Sequence, residues 1–439
     1  MRIIHIMPGY VQNYYCENCL RDQVLVQSLQ QAGHDIIVVP LYMPLKESQM
    51  QEVRASRIFY GGINVYLQQK SGIFRHTPRF LDQMLDAPGL LRWATRRSGM
   101  TKASELGELT YSTLCGADGR QKKELEQLID WLKTQDRPDI VSISNALLLG
   151  LAAEVREQLD VPVVCVLQDE DDFLDALPEP WKQKNWDLMQ QQARRIDLFV
   201  AGSDFYAGRM EQRLHLSTGK MQVCYYGIDA QMYEPTVPPQ EPVIGFLSQV
   251  RVEKGFDVLV EAFRLLKRKP QFNNLRLHIA GDRVPEQNEY VRELLGLLEK
   301  DGYGRDVQVI HEFDDAARRQ FLADVSVLSV PERHGDASAM YVLEAMAAGV
   351  PVVQPRSGVF TEWIELTGGG LLVEPEDPAA LAGGLEQLLS DQQAARAIGE
   401  QGREKVREHF DGPVCAQRFV DTVRTRLNHD AERIADGAE

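Results

Sequence analysis

The chain has 439 residues, 44% of them hydrophobic, and a formal net charge of −16. That length favours two or three domains over one. The acidic balance argues against a duplex nucleic-acid binder, whose affinity comes from a basic face that releases counterions. The opening "MRIIHIMPGY" is a short apolar run ending in Pro-Gly, and no segment approaches ~18 uninterrupted apolar residues, so a cytoplasmic protein is expected. Cys16, Cys19, Cys115, Cys165, Cys224 and Cys415 are sparse and fit reduced thiols.

In chain order, Arg2 to Met7 reads as a strand, followed by a loop carrying Gly9 and the helical pattern "LRDQVLVQSLQQAGHD", capped by Gly33. The second strand, "IIVVPLY", completes a βαβ unit and with it the sign of a parallel sheet. Further strands are expected at Ile140 to Ile143 and Val161 to Leu167, between helical patterns at Glu124 to Leu132 and "SNALLLGLAAEVREQL". The alternation runs on to "IDLFVAGS", then stops at "YEPTVPPQEP", whose prolines favour extended backbone and mark a linker. It restarts with the strand "VIGFLSQV", the helix "FDVLVEAFRLLKR", the strand "LRLHIAG", the helix "NEYVRELLGLLEK", the strand "VQVI", then "VSVLSV" and a helix from Met340 to Ala348. Three more helical patterns close the chain, the last broken from its neighbour by Gly412 and Pro413. The expected architecture is α/β, with domains at 1–235 and 236–411 and a C-terminal helix, 412–439, packing back on the first domain. In open α/β sheets ligands sit outside the carboxyl ends of strands, so two such domains would enclose a cleft.

Two local features carry chemistry. In "SQVRVEKGFDVLVEAF", Arg251 and Lys254 occupy the turn between a strand and a helix start, where amides, dipole and two cations together suit a diphosphate. A solvated basic turn is the bland alternative. In "PERHGDASAMYVLEAMAAGVPVV", Glu344 lies about one turn inside a helix, where a carboxylate can accept both hydroxyls of a ribose, or else serve as a favourable acid near a helix start.

These features, with "AGHDIIVVP", "GSDFY" at Gly202 to Tyr206, "YYGID" at Tyr225 to Asp229 and "GGGLLVEPEDPAAL", resemble glycosyltransferase family 4 over nearly the whole chain. The resemblance implies the GT-B fold, two Rossmann-like domains facing across a cleft, and retaining transfer from a nucleoside diphosphate sugar with no metal and no further cofactor. By that likeness Gly9, Arg251 and Lys254 lie on the donor, Glu344 on its ribose, and the backbone near Met340 and Tyr341 on the distal phosphate. The segment around Glu312 and Phe313 would border the base. "YYCENCLRDQVL" with "GGINVYLQQK" resembles a bacterial subgroup with a paired-cysteine loop followed by Leu-Arg-Asp.

The chain departs from the family at the sugar-facing end. Family members carry two glutamates with seven residues between them; the first position is Asp336 here, with Glu332 four residues earlier, and Asp336 is the expected sugar-facing acid. Where many members have a histidine, this chain has Gln168, opening the run "QDEDD". Glu170 or Asp171 would then contact acceptor hydroxyls or balance developing positive charge, unless the run is a solvated acidic loop.

Other signals are weaker. Cys16 and Cys19 form a CxxC pair without a second pair to complete a zinc site, so no metal site is expected. "MPGY" is not a dinucleotide fingerprint, and there is no P-loop. Basic and aromatic residues between Lys70 and Lys102 form either a solvated helix face or a peripheral contact with anionic lipid at the inner face of a membrane. The expected activity is transfer of a hexosyl unit to a hydroxyl on a carbohydrate, lipid-linked or small-molecule acceptor. The alternatives are a catalytically degenerate nucleotide-sugar-binding protein, or an epimerase or phosphorylase of the same architecture.

Overall fold

The computed structural model describes residues 1–9, 17–42, 54–55, 58–60, 103–235, 239–281, 288–310 and 314–436. Cys16, Glu312, Phe313, "GGINVYLQQK" and the basic 70–102 segment lie outside the described residues. So does part of the proline-rich linker.

The first sheet contains β1 (Arg2–Met7), β2 (Asp35–Pro40), β3 (Arg54–Ala55), β4 (Ile140–Ser144), β5 (Val163–Val166), β6 (Leu198–Ala201) and β7 (Met221–Val223). The second contains β8 (Val243–Leu247), β9 (Arg276–Ala280), β10 (Val307–Ile310), β11 (Val327–Leu328), β12 (Val352–Pro355) and β13 (Gly370–Val373). Their spatial orders are β3-β2-β1-β4-β5-β6-β7 and β10-β9-β8-β11-β12-β13. All pairings are parallel, with Ile4 opposite Ile37 and Val141 in the first sheet, and Ile244 opposite Leu277 and Val327 in the second. Helices cover both faces, which is why β4, β5, β6 and β8 are continuous buried runs rather than alternating ones. Each sheet reverses its winding once, between β1 and β4 and between β8 and β11, and a crevice opens at the carboxyl ends of those strands.

The chain crosses between the two sheets twice, side by side. Ile228 N donates to Phe410 O at 2.9 Å and Gly412 N to Ile228 O at 2.9 Å, so outgoing and returning strands are tied together. Tyr225, Trp363 and Phe410 stack beside this crossing, with ring centroids 5.0 and 5.3 Å apart about Phe410. The Gly412–Asp436 helix lies against the Glu17–Gln31 helix of the first sheet. The approach is close: a Cβ at Gly412 would stand 2.5 Å from Ser28 Oγ.

Two local readings need correction. The "SNALLLGLAAEVREQL" pattern is not one helix: β4 runs through Ser144, and Asn145 turns the chain at φ 93° while its side chain accepts from Leu147 N. A 3-10 turn, Ala146–Leu151, then precedes the Ala152–Leu159 helix. Apolar spacing alone did not distinguish the end of a buried strand from a buried helix. Nor is "QDEDD" a solvated loop. It opens the Glu170–Asp175 helix, with Glu170 and Asp171 turned inward and only Asp169 and Asp172 exposed.

Candidate active site

The second domain supplies a cation pair at its switch point. After β8, Arg251 caps a 3-10 turn, Val252–Lys254, and Gly255 passes through the left-handed region at φ 67° into the Phe256–Lys267 helix. A Cβ on Gly255 would stand 1.9 Å from Pro331 O, so glycine lets this turn lie directly on the loop that follows β11. That contact brings Lys254 Nζ within 2.5 Å of Asp336 Oδ2.

Asp336 is fully committed inside this loop. Oδ1 accepts from Ser338 N at 3.0 Å and Ala339 N at 2.9 Å, while Oδ2 accepts from Lys254 and from Tyr341 OH at 3.2 Å. A carboxylate has about four acceptor sites, and these donors fill them. Burial alone would push the Asp336 carboxyl up; Lys254 and the three other donors hold it down at about 2. Burial likewise opposes the Lys254 charge, but Asp336, Glu332 and Glu17 keep it protonated. The Met340–Ala347 helix follows, entered through Ala339 at φ 43°, a conformation costly for a residue with a Cβ.

Glu332 and Arg251 differ from this locked pair. Glu332 is 2% exposed; Oε1 accepts from His334 N at 3.3 Å, and the buried Oε2 has no hydrogen-bond partner among the described residues. Burial, with Asp336 and Asp172 nearby and Lys254 opposing, lifts its carboxyl to about 7. Arg251 forms no ion pair among the described residues, and its buried Nε has no hydrogen-bond partner there. A cation left in this condition beside Lys254 is open to an anion.

Glu344 is 3% exposed, and Oε1 accepts from Tyr233 OH at 2.6 Å and lies 3.1 Å from Arg318 Nε. Tyr233 comes from the chain crossing and Arg318 from the Asp315–Ala323 helix. The sequence singled out neither. Gly9, two residues after β1, has φ 113°, and its carbonyl accepts from Cys19 Sγ at 3.8 Å.

The first domain contributes a different chemistry. Arg21, buried, donates to Leu167 O at 3.0 Å and Asp22 Oδ1 at 2.9 Å, and lies 4.5 Å over the Tyr226 ring. Asp22 also accepts from Ser144 Oγ, which in turn accepts from Gln168 Nε2 at 2.8 Å. The Leu-Arg-Asp run is therefore a clamp on the carboxyl ends of β4 and β5, and Gln168 belongs to it. Glu170 accepts from Ala146 N at 2.6 Å, Gln168 N at 2.9 Å and Tyr206 OH at 2.8 Å. Burial still raises it to about 7. Asp171 accepts from Tyr206 OH at 2.9 Å and Arg209 Nη1 at 3.0 Å. Gln168, Glu170 and Asp171 thus hold one another and the strand ends. Asp172 faces outward instead; confinement, then Asp171 and Asp169, raise it to about 6.

Hydrogen bonds join the two domains around this cluster. Met340 N donates to Glu17 Oε2 at 2.8 Å, and Arg209 Nη2 to His334 O at 2.8 Å. Asp204 N and Phe205 N donate to Glu362 at 3.2 and 3.3 Å, and Ser203 Oγ to Ala337 O at 3.4 Å. Glu17 thereby bridges from the first domain to the second, a residue that sequence reading passed over as part of the cysteine loop.

Two Rossmann-like domains with a cation pair at the switch point of one, facing strand ends of the other, define the GT-B architecture. Sucrose-phosphate synthase from Thermosynechococcus elongatus superimposes with a TM-score of 0.69 at 16% identity, covering 98% of this chain and 100% of that one. Anabaena Alr3699/HepE, solved in complex with UDP-glucose, does so at 0.67 and 17%, covering 97% and 100%. By sequence, residues 228–405 match the family model for glycosyl transferases group 1, and residues 115–232 the model for glycosyltransferase family 4. The alpha-1,3/1,6-mannosyltransferase ALG2 of Rhizomucor pusillus is 26% identical over 259 residues, 51% of this chain. The chain spans 53% to 58% of the length of the first curated relatives it matches. No helix among the described residues is long and apolar enough to cross a membrane.

Proposed function

We propose that the protein is a retaining, metal-independent glycosyltransferase that moves a hexosyl unit from a nucleoside diphosphate sugar to a hydroxyl-bearing acceptor. The observation that carries this reading is Arg251, a cation whose buried Nε has no hydrogen-bond partner among the described residues, in the same turn as Lys254, which itself reaches the loop leading into the Met340–Ala347 helix. The matches to glycosyltransferase models and the UDP-glucose complex of a structural neighbour support the same donor class.

In this reading Arg251 takes the diphosphate, Lys254 adds its charge while anchoring Asp336, and the Met340 amide meets the distal phosphate. Glu344, fixed by Tyr233, takes the ribose. Since the Asp336 oxygens are filled, Glu332 is the carboxyl with capacity left for a sugar hydroxyl. Asp169 and Asp172 line the acceptor side. As the bond from the anomeric carbon to phosphate breaks, the acceptor oxygen bonds to the same face and its proton passes to the departing phosphate oxygen. No strong side-chain base is needed, and stabilisation of the leaving diphosphate is the dominant contribution.

A second reading, a nucleotide-sugar binder without turnover, is favoured by the locked Asp336 and by Gln168 being part of the strand clamp. Turnover of UDP-, GDP-, ADP- and dTDP-sugars by wild type, E332Q and D336N separates the two. Transfer or donor hydrolysis that falls sharply in E332Q, with D336N affected mainly through stability, supports the proposal. Donor binding with no turnover in any assay supports the second reading.

A further inference from the structure

The Met340 amide is already taken. Glu17, first residue of the helix that follows the cysteine loop, crosses the cleft and accepts from Met340 N at 2.8 Å and from Ser338 Oγ at 3.4 Å. This is the one side-chain carboxylate from the first domain that caps a helix of the second among the described residues. A phosphate group drawn to that helix start needs the same amide.

We infer that Glu17 is a built-in occupant of the distal phosphate seat, which the donor must displace in order to bind. The inference rests on the donor reading given above and adds a residue that sets donor affinity. The surroundings of Glu17 fit a held but uncomfortable anion. Ser338 and Met340 donate to it from the helix start; Asp336 and Asp169 repel it, and Lys254 attracts it. Burial first, then Asp336, lifts the carboxyl to about 8. Glu332, which like Glu17 lies near both Lys254 and Asp336, keeps its buried Oε2 without a hydrogen-bond partner among the described residues, a second sign of polar capacity left open beside this helix start. Asn18 ties the adjoining turn to Asp169 at 2.7 Å, so the helix start remains anchored when the Glu17 side chain swings away.

A carboxylate on an amide is worth about a tenfold change in equilibrium, at the low end for a hydrogen bond to a charged group. Calorimetric titration at about pH 9, above the raised Glu17 carboxyl so that it is ionised, with inorganic pyrophosphate, UDP and GDP tests this on the full chain, comparing wild type, E17Q and E17A. E17A should bind at least one of these about tenfold more tightly than wild type. E17Q, still able to accept from Met340 N but without charge, should fall between them. The gain should vanish in the R251A background. Binding in E17A and E17Q that is no tighter than in wild type overturns the role of Glu17 and leaves the donor reading standing. A gain that survives R251A also overturns it, since the anion is then held elsewhere. No binding of any probe to any of the three proteins overturns both.

Discussion

Arg251 and Lys254 are close in sequence and both cationic, yet their replacement should have different consequences for the fold. Lys254 is 7% exposed and paired with a buried carboxylate. K254A strands that charge, at a cost of ~3–5 kcal/mol for a broken buried pair. Ser338 N, Ala339 N and Tyr341 OH still hold Asp336, which places the cost at the lower end, about 3 kcal/mol. For a domain of this size that lowers the midpoint of thermal unfolding by roughly 6–12 °C. R251A removes no ion pair and relieves a buried, unpartnered Nε, so its midpoint should stay within about 2 °C of wild type. In turnover the order reverses: R251A should lose about 2–4 kcal/mol of transition-state stabilisation, roughly thirty- to a thousandfold in kcat/KM, while remaining folded. Scanning calorimetry and donor kinetics on the two variants give the comparison. R251A as unstable as K254A, or R251A turning over like wild type, would refute the division of labour drawn from the geometry.

Tyr233 tests the ribose assignment: Y233F should weaken UDP or GDP binding by about 1 kcal/mol while leaving pyrophosphate binding unchanged, and equal losses for both would place Glu344 elsewhere. The pH dependence of stability follows from the buried carboxyls. Glu332 and Glu170 bind protons more tightly folded than unfolded, each raised to about 7 from 4.5. Their contribution is therefore complete below pH ~4.5 and is lost as pH rises toward 7 and beyond. Thermal midpoints should fall between pH 5 and 8, and E332Q should flatten that slope; an unchanged slope in E332Q would contradict the burial of its carboxyl as an acid. Exhaustive treatment with a chelator should leave turnover intact, and recovery only on adding a divalent cation would contradict the metal-independent mechanism.

Much of the fold was legible because both sheets are parallel and buried. Their strands are continuous apolar runs such as "VIGFL", set off by amphipathic helices, and "YEPTVPPQEP" interrupts the rhythm between them. The cation pair was legible for the same local reason: Arg251 and Lys254 stand at the end of a clear strand, ahead of a clear helix. What the sequence concealed is burial and pairing across long separations. That Asp336 would be filled by Lys254, that Gln168 would be held by Ser144, and that Glu170 and Asp171 would turn toward Tyr206 all depend on contacts between segments 24 to 82 residues apart. Glu17 lay concealed for a further reason. Its partner, Met340 N, is a backbone amide 323 residues away, and no side-chain motif announces it.

The central claim is a group transfer that keeps anomeric configuration, and proton NMR of the reaction measures it directly. With a matching nucleoside diphosphate sugar and a hydroxyl acceptor, an α-linked donor should give an α-linked product at first appearance, with release of the nucleoside diphosphate abolished in R251A. A β-linked first product, or nucleoside diphosphate release undiminished in R251A, would contradict it.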